Sequence, residues 1–294
     1  MDHDPGPVDS MPFRRRETDA RDSGTSHPFY SSDVGFPVPS DQQKCYALID
    51  RWDKIHGILD SRRLERFELM MDLIEATMPR RFVALDLGAG PGPLSKRILE
   101  RFPGATVIAM DHNPAQTRIG QLALERFGGR SRWVTGDLRR LARKEHLPVR
   151  RMDAVVTSQT FHDIGSGSLR DVCRTLGARL GPKGILLNSD WLPWDKSRSN
   201  LGRVHERVDE IRKRGGRQPD RLHFHREYMK WWDSAKRIGS LREVFSMVDP
   251  LAYDKKAARV TTIEAHLKAL RDAGFRDVGV VWQNGESRVV FAQK

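Results

Sequence analysis

A glycine-rich turn directly after a short apolar run is the feature that most constrains the fold of this chain. Residues 82–87 (FVALDL) are apolar except for one aspartate, and residues 88–93 (GAGPGP) follow them. Residues 94–101 then show helical spacing of their apolar side chains. A strand, a tight turn and a helix in this order form the unit with which α/β proteins bind nucleotide-like ligands. Glycine is needed there because a side chain would hold the ligand away from the backbone.

A second apolar run, residues 106–110, ends in Asp111 about 20 residues after the glycine turn. An acidic side chain at this place accepts hydrogen bonds from the two hydroxyls of a ribose. The glycine spacing differs from the dinucleotide fingerprint G-x-G-x-x-G, because Pro93 stands at the third small position if the motif begins at Gly88. The turn therefore favours a ligand that is not a dinucleotide.

The spacing that the chain does have, acidic-x-Gly-x-Gly-x-Gly, resembles motif I of the class I S-adenosylmethionine-dependent methyltransferases. It consists of Asp86, Gly88, Gly90 and Gly92. The resemblance implies that S-adenosyl-L-methionine is the cofactor. A carboxylate at Asp86 suits the ammonium of that molecule, which has no pyrophosphate to be held at a helix N-terminus.

Further landmarks resemble the same family and follow in its order along residues 60–190 and 260–294. They are the predicted helix 114–127, the predicted third strand 132–135 with Gly136-Asp137-Leu138, the motif IV-like segment 153–164, the turn 181–184 before strand 185–188, and the helix 266–275 before strands 278–282 and 288–292. The expected fold is α/β, a doubly wound, seven-stranded, mostly parallel sheet with a C-terminal antiparallel strand. N-terminal helices and a helical cap insertion complete it.

The resemblance also implies a set of cofactor-binding residues. Asp111 holds the ribose, and Asp137 accepts a hydrogen bond from the adenine amino group. The full set is Asp86, Gly88, Ala89, Gly90, Gly92, Asp111, His112, Asp137, Leu138, Ser158 and Gln159.

A methyl transferase works mainly by holding the acceptor in line with the departing sulfur, and it needs a general base only if the acceptor must lose a proton. His162 and Asp163 are the candidate catalytic residues, with Asp163 orienting the histidine. In the alternative interpretation His162 packs beneath the cofactor and Asp163 caps the next helix.

We expect no metal ion in this protein. Cys45 and Cys173 do not have the spacing of metal ligands, and the ligand pattern of cation-dependent methyltransferases is missing from the sequence.

Composition and periodicity divide the chain into five segments. We predict a disordered tail at 1–40, N-terminal lid helices at 41–80 (41–58 and 61–78), the cofactor-binding core at 81–190, a helical cap at 191–258 (helices at about 200–214, 220–238 and 240–248), and the final helix and strand hairpin of the core at 259–294.

Four aromatic residues are the candidates for the substrate pocket. Tyr46 and Trp52 belong to the first lid helix, where packing against the sheet is an equal alternative. Trp191 and Trp194 follow the fifth predicted strand, where α/β enzymes build substrate pockets.

Charge leaves the partner open between several classes. The chain carries +12, while residues 1–40 hold four basic and seven acidic side chains, so the remainder is more basic still. This charge permits an RNA methyltransferase, although no RNA-binding motif is present. A small-molecule acceptor is favoured, nucleic acid is the alternative, and a non-catalytic S-adenosylmethionine-binding regulator is a third possibility.

The sequence has no apolar segment long enough to span a membrane and no apolar region of a secretory signal, so we expect a cytoplasmic enzyme. The oligomeric state is left open.

Overall fold

The structure, a computed structural model, describes residues 38–141, 147, 149–197, 199–216, 218–254 and 261–294, without the side chains of Asp163, Tyr253 and Asp254. Residues 1–37 of the predicted tail lie outside the described residues. The helices are α1 (Asp41–Leu59), α2 (Arg63–Thr77), α3 (Pro93–Arg101), α4 (Pro114–Ala123), α5 (Ser166–Arg179), α6 (Asn200–Arg214), α7 (Arg221–Lys236), α8 (Arg242–Met247) and α9 (Ile263–Asp272). The strands are β1 (Phe82–Leu87), β2 (Ala105–Asp111), β3 (Ser131–Thr135), β4 (Met152–Ser158), β5 (Leu180–Trp191), β6 (Asp277–Asn284) and β7 (Ser287–Gln293).

The seven strands form one sheet in the order β3-β2-β1-β4-β5-β7-β6. Strands β1 to β5 pair in parallel, and β7 is antiparallel to both β5 and β6. The apolar runs of β1 and β4 are almost wholly buried, as expected for strands covered by helices on both faces. The predicted fold class, a mostly parallel seven-stranded sheet with a C-terminal antiparallel strand, is confirmed.

The glycine turn needs its glycines for their backbone conformation. Gly88, Gly90 and Gly92 have φ angles of 65°, 58° and 98°, which residues with a side chain rarely adopt. Pro93 then supplies the first residue of α3, where its missing N–H has no cost. The turn is thereby fixed at the carboxyl end of β1.

Two elements differ in length from the sequence prediction. The helix predicted over 114–127 ends at Ala123, and a 3-10 turn follows over Glu125–Arg130, where Gly128 adopts a φ of 57°. The fifth strand extends over Leu180–Trp191 instead of 185–188, because β7 pairs with it as far as Trp191. The predicted turn at 181–184 is a bulge within this strand, with Lys183 at a φ of 63°.

Helices from the two ends of the chain pack together beside the sheet. Trp231 of α7 is fully buried, and its Nε1 donates a hydrogen bond to the backbone oxygen of Leu48 in α1 at 2.8 Å. The predicted helices at 200–214, 220–238 and 240–248 correspond to α6, α7 and α8. Among the described residues, no helix is both long and apolar enough to cross a bilayer.

Candidate active site

A cleft of about 1100 Å³ opens at the carboxyl ends of β1, β2 and β4. This volume is slightly larger than the roughly 300–1,000 Å³ typical of ligand pockets, so the cleft has room for two small ligands. Ten of the eleven predicted cofactor-binding residues line it: Asp86, Gly88, Ala89, Gly90, Asp111, His112, Asp137, Leu138, Ser158 and Gln159. A second cavity, of about 720 Å³, lies at the opposite edge of the sheet near Phe82 and Gly104, away from every predicted site residue.

Asp86 is a buried carboxylate at the end of β1, and Ser95 makes two hydrogen bonds to it. Its Oδ2 accepts hydrogen bonds from the backbone N–H and the hydroxyl of Ser95, at 3.1 and 2.6 Å. Burial nevertheless raises the pKa of Asp86 to about 7, against the effect of these bonds. A cation bound beside this carboxyl group would favour its ionised form.

Arg63 is a cleft residue that the sequence analysis did not identify. It lies at the start of α2 and is buried. Its Nε donates to Oδ1 of Asp53 at 3.0 Å, its Nη1 donates to Oγ of Ser158 at 3.4 Å, and its charge acts to lower the pKa of Asp86. The cleft thus holds a carboxylate and a guanidinium close together, which is the pattern that recognises a zwitterion.

Asp111 closes the glycine turn from the end of β2. Its Oδ2 accepts the backbone N–H of Gly90 at 2.8 Å, and its Oδ1 accepts the backbone N–H of Asn113 at the same distance. His112 lies beside it, with Nδ1 at 3.4 Å from Oδ1. Each carboxylate oxygen keeps a further lone pair, so a pair of ribose hydroxyls can still be bound here.

Asp137 lies farther along the cleft, after β3, and is partly exposed. It begins a 3-10 turn over Leu138–Arg140 and accepts hydrogen bonds from the backbone and the guanidinium of Arg139 at 2.7 to 3.0 Å. Burial acts to raise the pKa of Asp137, but the bonds from Arg139 hold it below its usual value. The group is therefore an ionised acceptor at neutral pH.

Gly92, the eleventh predicted residue, does not line the cleft. A Cβ at Gly92 would lie 2.8 Å from the indole ring of Trp133 in β3, and a Cβ at Gly120 of α4 would overlap the same ring. The indole fills the space between the two glycines. The third glycine of the motif is thus required by packing as well as by its φ of 98°, whereas Gly90 faces the cleft, with Trp52 3.8 Å from the place of its missing Cβ.

The end of β4 carries a strained residue. Gln159 has a φ of 53°, which is uncommon for a residue with a side chain, and its N–H donates to the backbone oxygen of Ser189 at 3.0 Å. Strain of this kind clusters at functional sites. It turns the chain so that Ser158, Gln159 and Thr160 all face the cleft.

His162, one of the two candidate catalytic residues, lines the cleft and is held by Asp190 at the end of β5. Its Nδ1 lies 2.7 Å from Oδ1 of Asp190, and its backbone N–H donates to Oδ2 at 3.1 Å. Asp190 is fully buried. A carboxylate partner assigns the proton of a neutral ring to Nδ1 and leaves the basic lone pair on Nε2. The side chain of Asp163 lies outside the described residues.

Aromatic side chains of α1 and α7 form one wall of the cleft. Trp52 lies 5.8 Å from Tyr228, and Phe224 stacks on Tyr228 at 5.6 Å between ring centroids. His56, whose pKa burial lowers to about 3, adds an uncharged ring to this wall. The wall is therefore aromatic and uncharged, with the rings of Trp52 and Tyr228 tilted by 52° to each other.

The other three predicted pocket residues do not line the cleft. Tyr46 lies on the outer side of α1, where the charges of Lys96 and Arg126 approach its ring at 4.0 and 4.2 Å. Trp191 is 41% exposed at the end of β5, and Trp194 packs beneath Arg288 at 4.0 Å.

Comparisons with known proteins agree with this architecture. Residues 84–184 match a family model described as a methyltransferase domain. The solved magnesium protoporphyrin IX methyltransferase of Synechocystis, with S-adenosylhomocysteine bound, is 16% identical with a TM-score of 0.51, and the match covers 83% of this chain and 93% of that one. An O-methyltransferase family 2 protein of Planctomyces limnophilus in complex with apigenin is 15% identical with a TM-score of 0.50, covering 86% and 62%.

Other matches are longer proteins. Human N-acetylserotonin methyltransferase is 17% identical with a TM-score of 0.46, covering 86% of this chain and 55% of that one. The chain spans about half the length of this protein and of several other solved structures that it matches. No curated protein sequence matches the chain. Residues 84–184 are thus similar to a methyltransferase domain, and the seven-stranded sheet has the fold that the sequence resemblance to the class I S-adenosylmethionine-dependent methyltransferases predicts.

Proposed function

We propose that this protein transfers a methyl group from S-adenosylmethionine to a small-molecule acceptor bound in the cleft. The observation that carries the proposal is the convergence of ten predicted cofactor residues and His162 on one cleft at the carboxyl edge of the sheet. Their order along the cleft follows the parts of the cofactor. Asp137 suits the adenine, Asp111 the ribose, and Asp86 the ammonium.

Arg63 adds the missing partner for the amino-acid part of the cofactor. An amino acid tail carries a carboxylate as well as an ammonium, and Arg63 lies close enough to Asp86 to act on its pKa. Charge-assisted hydrogen bonds of this type are about twice as strong as neutral ones. The two side chains together would fix the tail, and they would set the direction of the methyl group.

When bound, S-adenosylmethionine supplies an electrophilic methyl carbon on a sulfonium. The protein must hold the acceptor in line with the departing sulfur, and it must remove the acceptor's proton where there is one. His162 suits the second task, because Asp190 keeps the proton on Nδ1 and stabilises the imidazolium that forms when Nε2 takes up the acceptor's proton.

The acceptor's shape follows from the aromatic wall. The aromatic rings of Trp52, Phe224 and Tyr228 each offer a flat apolar surface, which favours a planar acceptor over a flexible polar one.

Both cysteines are buried free thiols, which is in keeping with a reducing compartment. We therefore infer that the protein is located in the cytoplasm.

Calorimetric titration tests the proposal first. S-adenosylmethionine and S-adenosylhomocysteine should each bind at one site per chain, and NAD, the control, should not bind. An acceptor screen with labelled S-adenosylmethionine then tests turnover on planar phenols and amines, with tRNA as the competing acceptor class. Failure of both cofactor forms to bind would refute the proposal, and binding without any methylated product would favour a non-catalytic regulator.

A further inference from the structure

Three side chains outside the cleft converge where α6 passes the turn between β6 and β7. His205 and Asp209 lie four residues apart on one face of α6, and Glu286 follows Gly285 in the turn. Nδ1 of His205 is 3.5 Å from Oδ2 of Asp209 and 3.7 Å from Oε1 of Glu286. The three ligand atoms all lie within 4.8 Å of one another.

One polar atom of this cluster is buried without a hydrogen bond, and a carboxylate beside it accepts none from the described residues. Nδ1 of His205 is inaccessible to solvent and has no hydrogen-bond partner among the described residues. Glu286 is 9% exposed, and no described donor makes a hydrogen bond to its carboxylate. Buried polar groups in folded proteins normally have partners, so this arrangement points to a missing cation.

Two neighbouring cations make their hydrogen bonds to groups other than the Glu286 carboxylate. Nζ of Lys196 donates to Oε1 of Glu206 at 2.7 Å. Arg288 lies over the ring of Trp194 at 4.0 Å, and it donates through Nε to the side chain of Gln283 at 3.2 Å and through Nη1 to the backbone oxygen of Glu286 at 3.3 Å. The Glu286 carboxylate itself lies against His205, with Oε1 3.7 Å from Nδ1.

We propose that His205, Asp209 and Glu286 bind one divalent transition-metal ion, for which Zn²⁺ is the best fit. Donors about 2.1 Å from a tetrahedral Zn²⁺ are separated by roughly 3.4 Å, close to two of the observed separations. An imidazole with two carboxylates suits Zn²⁺ better than Mg²⁺, which prefers six oxygen ligands. Trp194 packs against His205 at 5.0 Å between ring centroids and supports its orientation.

Such an ion would tie α6 to the β6–β7 turn. The three ligands come from segments far apart in the chain, so binding would stabilise their tertiary contact. The site is separate from the cleft, because none of the three residues lines it. The inference does not depend on methyl transfer, and it holds or fails whether or not S-adenosylmethionine binds.

The test is a calorimetric titration of tag-free, chelator-treated full chain with ZnCl₂, and with MgCl₂ as the weaker competitor. We expect one Zn²⁺ per chain and a higher melting temperature in its presence. Glu286→Gln and Asp209→Asn should each weaken Zn²⁺ binding at least tenfold. Glu227→Gln is the matched control, since it removes a carboxylate four residues after His223 on α7, and it should leave binding unchanged.

Several results would overturn the proposal. Wild-type protein that binds no Zn²⁺ would refute the proposal outright. Equal binding by the wild type and both variants would place the ion elsewhere. If Glu286→Gln does not fold, Asp209→Asn decides the question, and the visible spectrum of the Co²⁺-substituted wild type provides a second measurement. A spectrum of hydrated Co²⁺ alone would also contradict the proposal.

Discussion

Replacing Asp86 with asparagine should stabilise the cofactor-free protein. Asp86 is 1% exposed, and burial raises its pKa from 3.8 to about 7. Each pKa unit corresponds to about 1.4 kcal/mol, so keeping this carboxylate ionised costs the folded state on the order of 4 kcal/mol at pH 8. Asparagine removes the charge while its Oδ1 can still accept both hydrogen bonds from Ser95.

The direction of this stability difference and the pH range over which it develops follow from the raised pKa of Asp86. Between about pH 4 and pH 7 the unfolded chain loses the Asp86 proton and the folded chain keeps it, so the stability of the wild type falls as the pH rises. Above about pH 7 both states are ionised, and the difference between Asp86→Asn and the wild type stays at its full size. At about pH 4 and below, the two proteins should be nearly equal in stability.

Urea denaturation at several pH values measures this directly. The free energy of unfolding of Asp86→Asn should exceed that of the wild type by an amount that grows from about pH 5 to pH 7 and then levels off. Asp171→Asn is the control, because this exposed carboxylate on α5 pairs with Arg174 and should give a small difference. A variant less stable than the wild type at pH 8, or a difference that does not change with pH, would refute the reasoning.

The same substitution of Asp86 by asparagine should weaken S-adenosylmethionine binding at least tenfold, since an uncharged amide cannot form an ion pair with an ammonium.

Three further substitutions test the proposed roles in the cleft. Asp111→Ala should weaken cofactor binding at least tenfold by calorimetry, about 1.4 kcal/mol or more, because the ribose hydroxyls lose a charged acceptor; an unaltered affinity would refute that assignment. Gly90→Val should abolish binding and retain the far-UV circular dichroism spectrum, since a β-branched residue cannot hold a φ of 58°; normal binding would show that the turn does not face the ligand. Asp190→Asn should lower kcat about 100-fold for an acceptor that loses a proton and shift the pH–rate profile of His162, with cofactor affinity unchanged. An unchanged profile would exclude this pair from proton transfer.

The order and type of the core elements could be predicted from the sequence because each has a local signal. The apolar run of β1, the glycine turn and the spacing of α3 are contiguous, and residues at the carboxyl ends of parallel strands meet at one edge. Ten of the predicted cofactor residues consequently share one cleft. Gly92 fits the motif, but it does not line the cleft, and its φ of 98° and its tertiary contact with Trp133 are what require a glycine there.

The pairing of His162 with Asp190 and the approach of Glu286 to His205 could not be predicted, because these residues are distant in sequence. Asp190 approaches His162 only through the pairing of β4 with β5, and Glu286 approaches His205 only through the turn between β6 and β7. The exposed position of Trp191 could also not be predicted from its place at the end of a strand. Strand β5 continues to Trp191, and this places the indole at an exposed end of the sheet instead of in the cleft.

The indole of Trp133 has a consequence for how this sequence can change over generations. It occupies the space beside Gly92 and Gly120, so neither glycine can gain a side chain while the tryptophan is present. A lineage that first replaces Trp133 with a small residue opens a void that a side chain at position 120 can fill, whereas position 92 keeps its glycine because of its φ of 98°. Positions 133 and 120 should therefore vary together among relatives, although neither belongs to the ligand motif. Trp133→Ala combined with Gly120→Ala should accordingly recover part of the stability that Trp133→Ala loses alone.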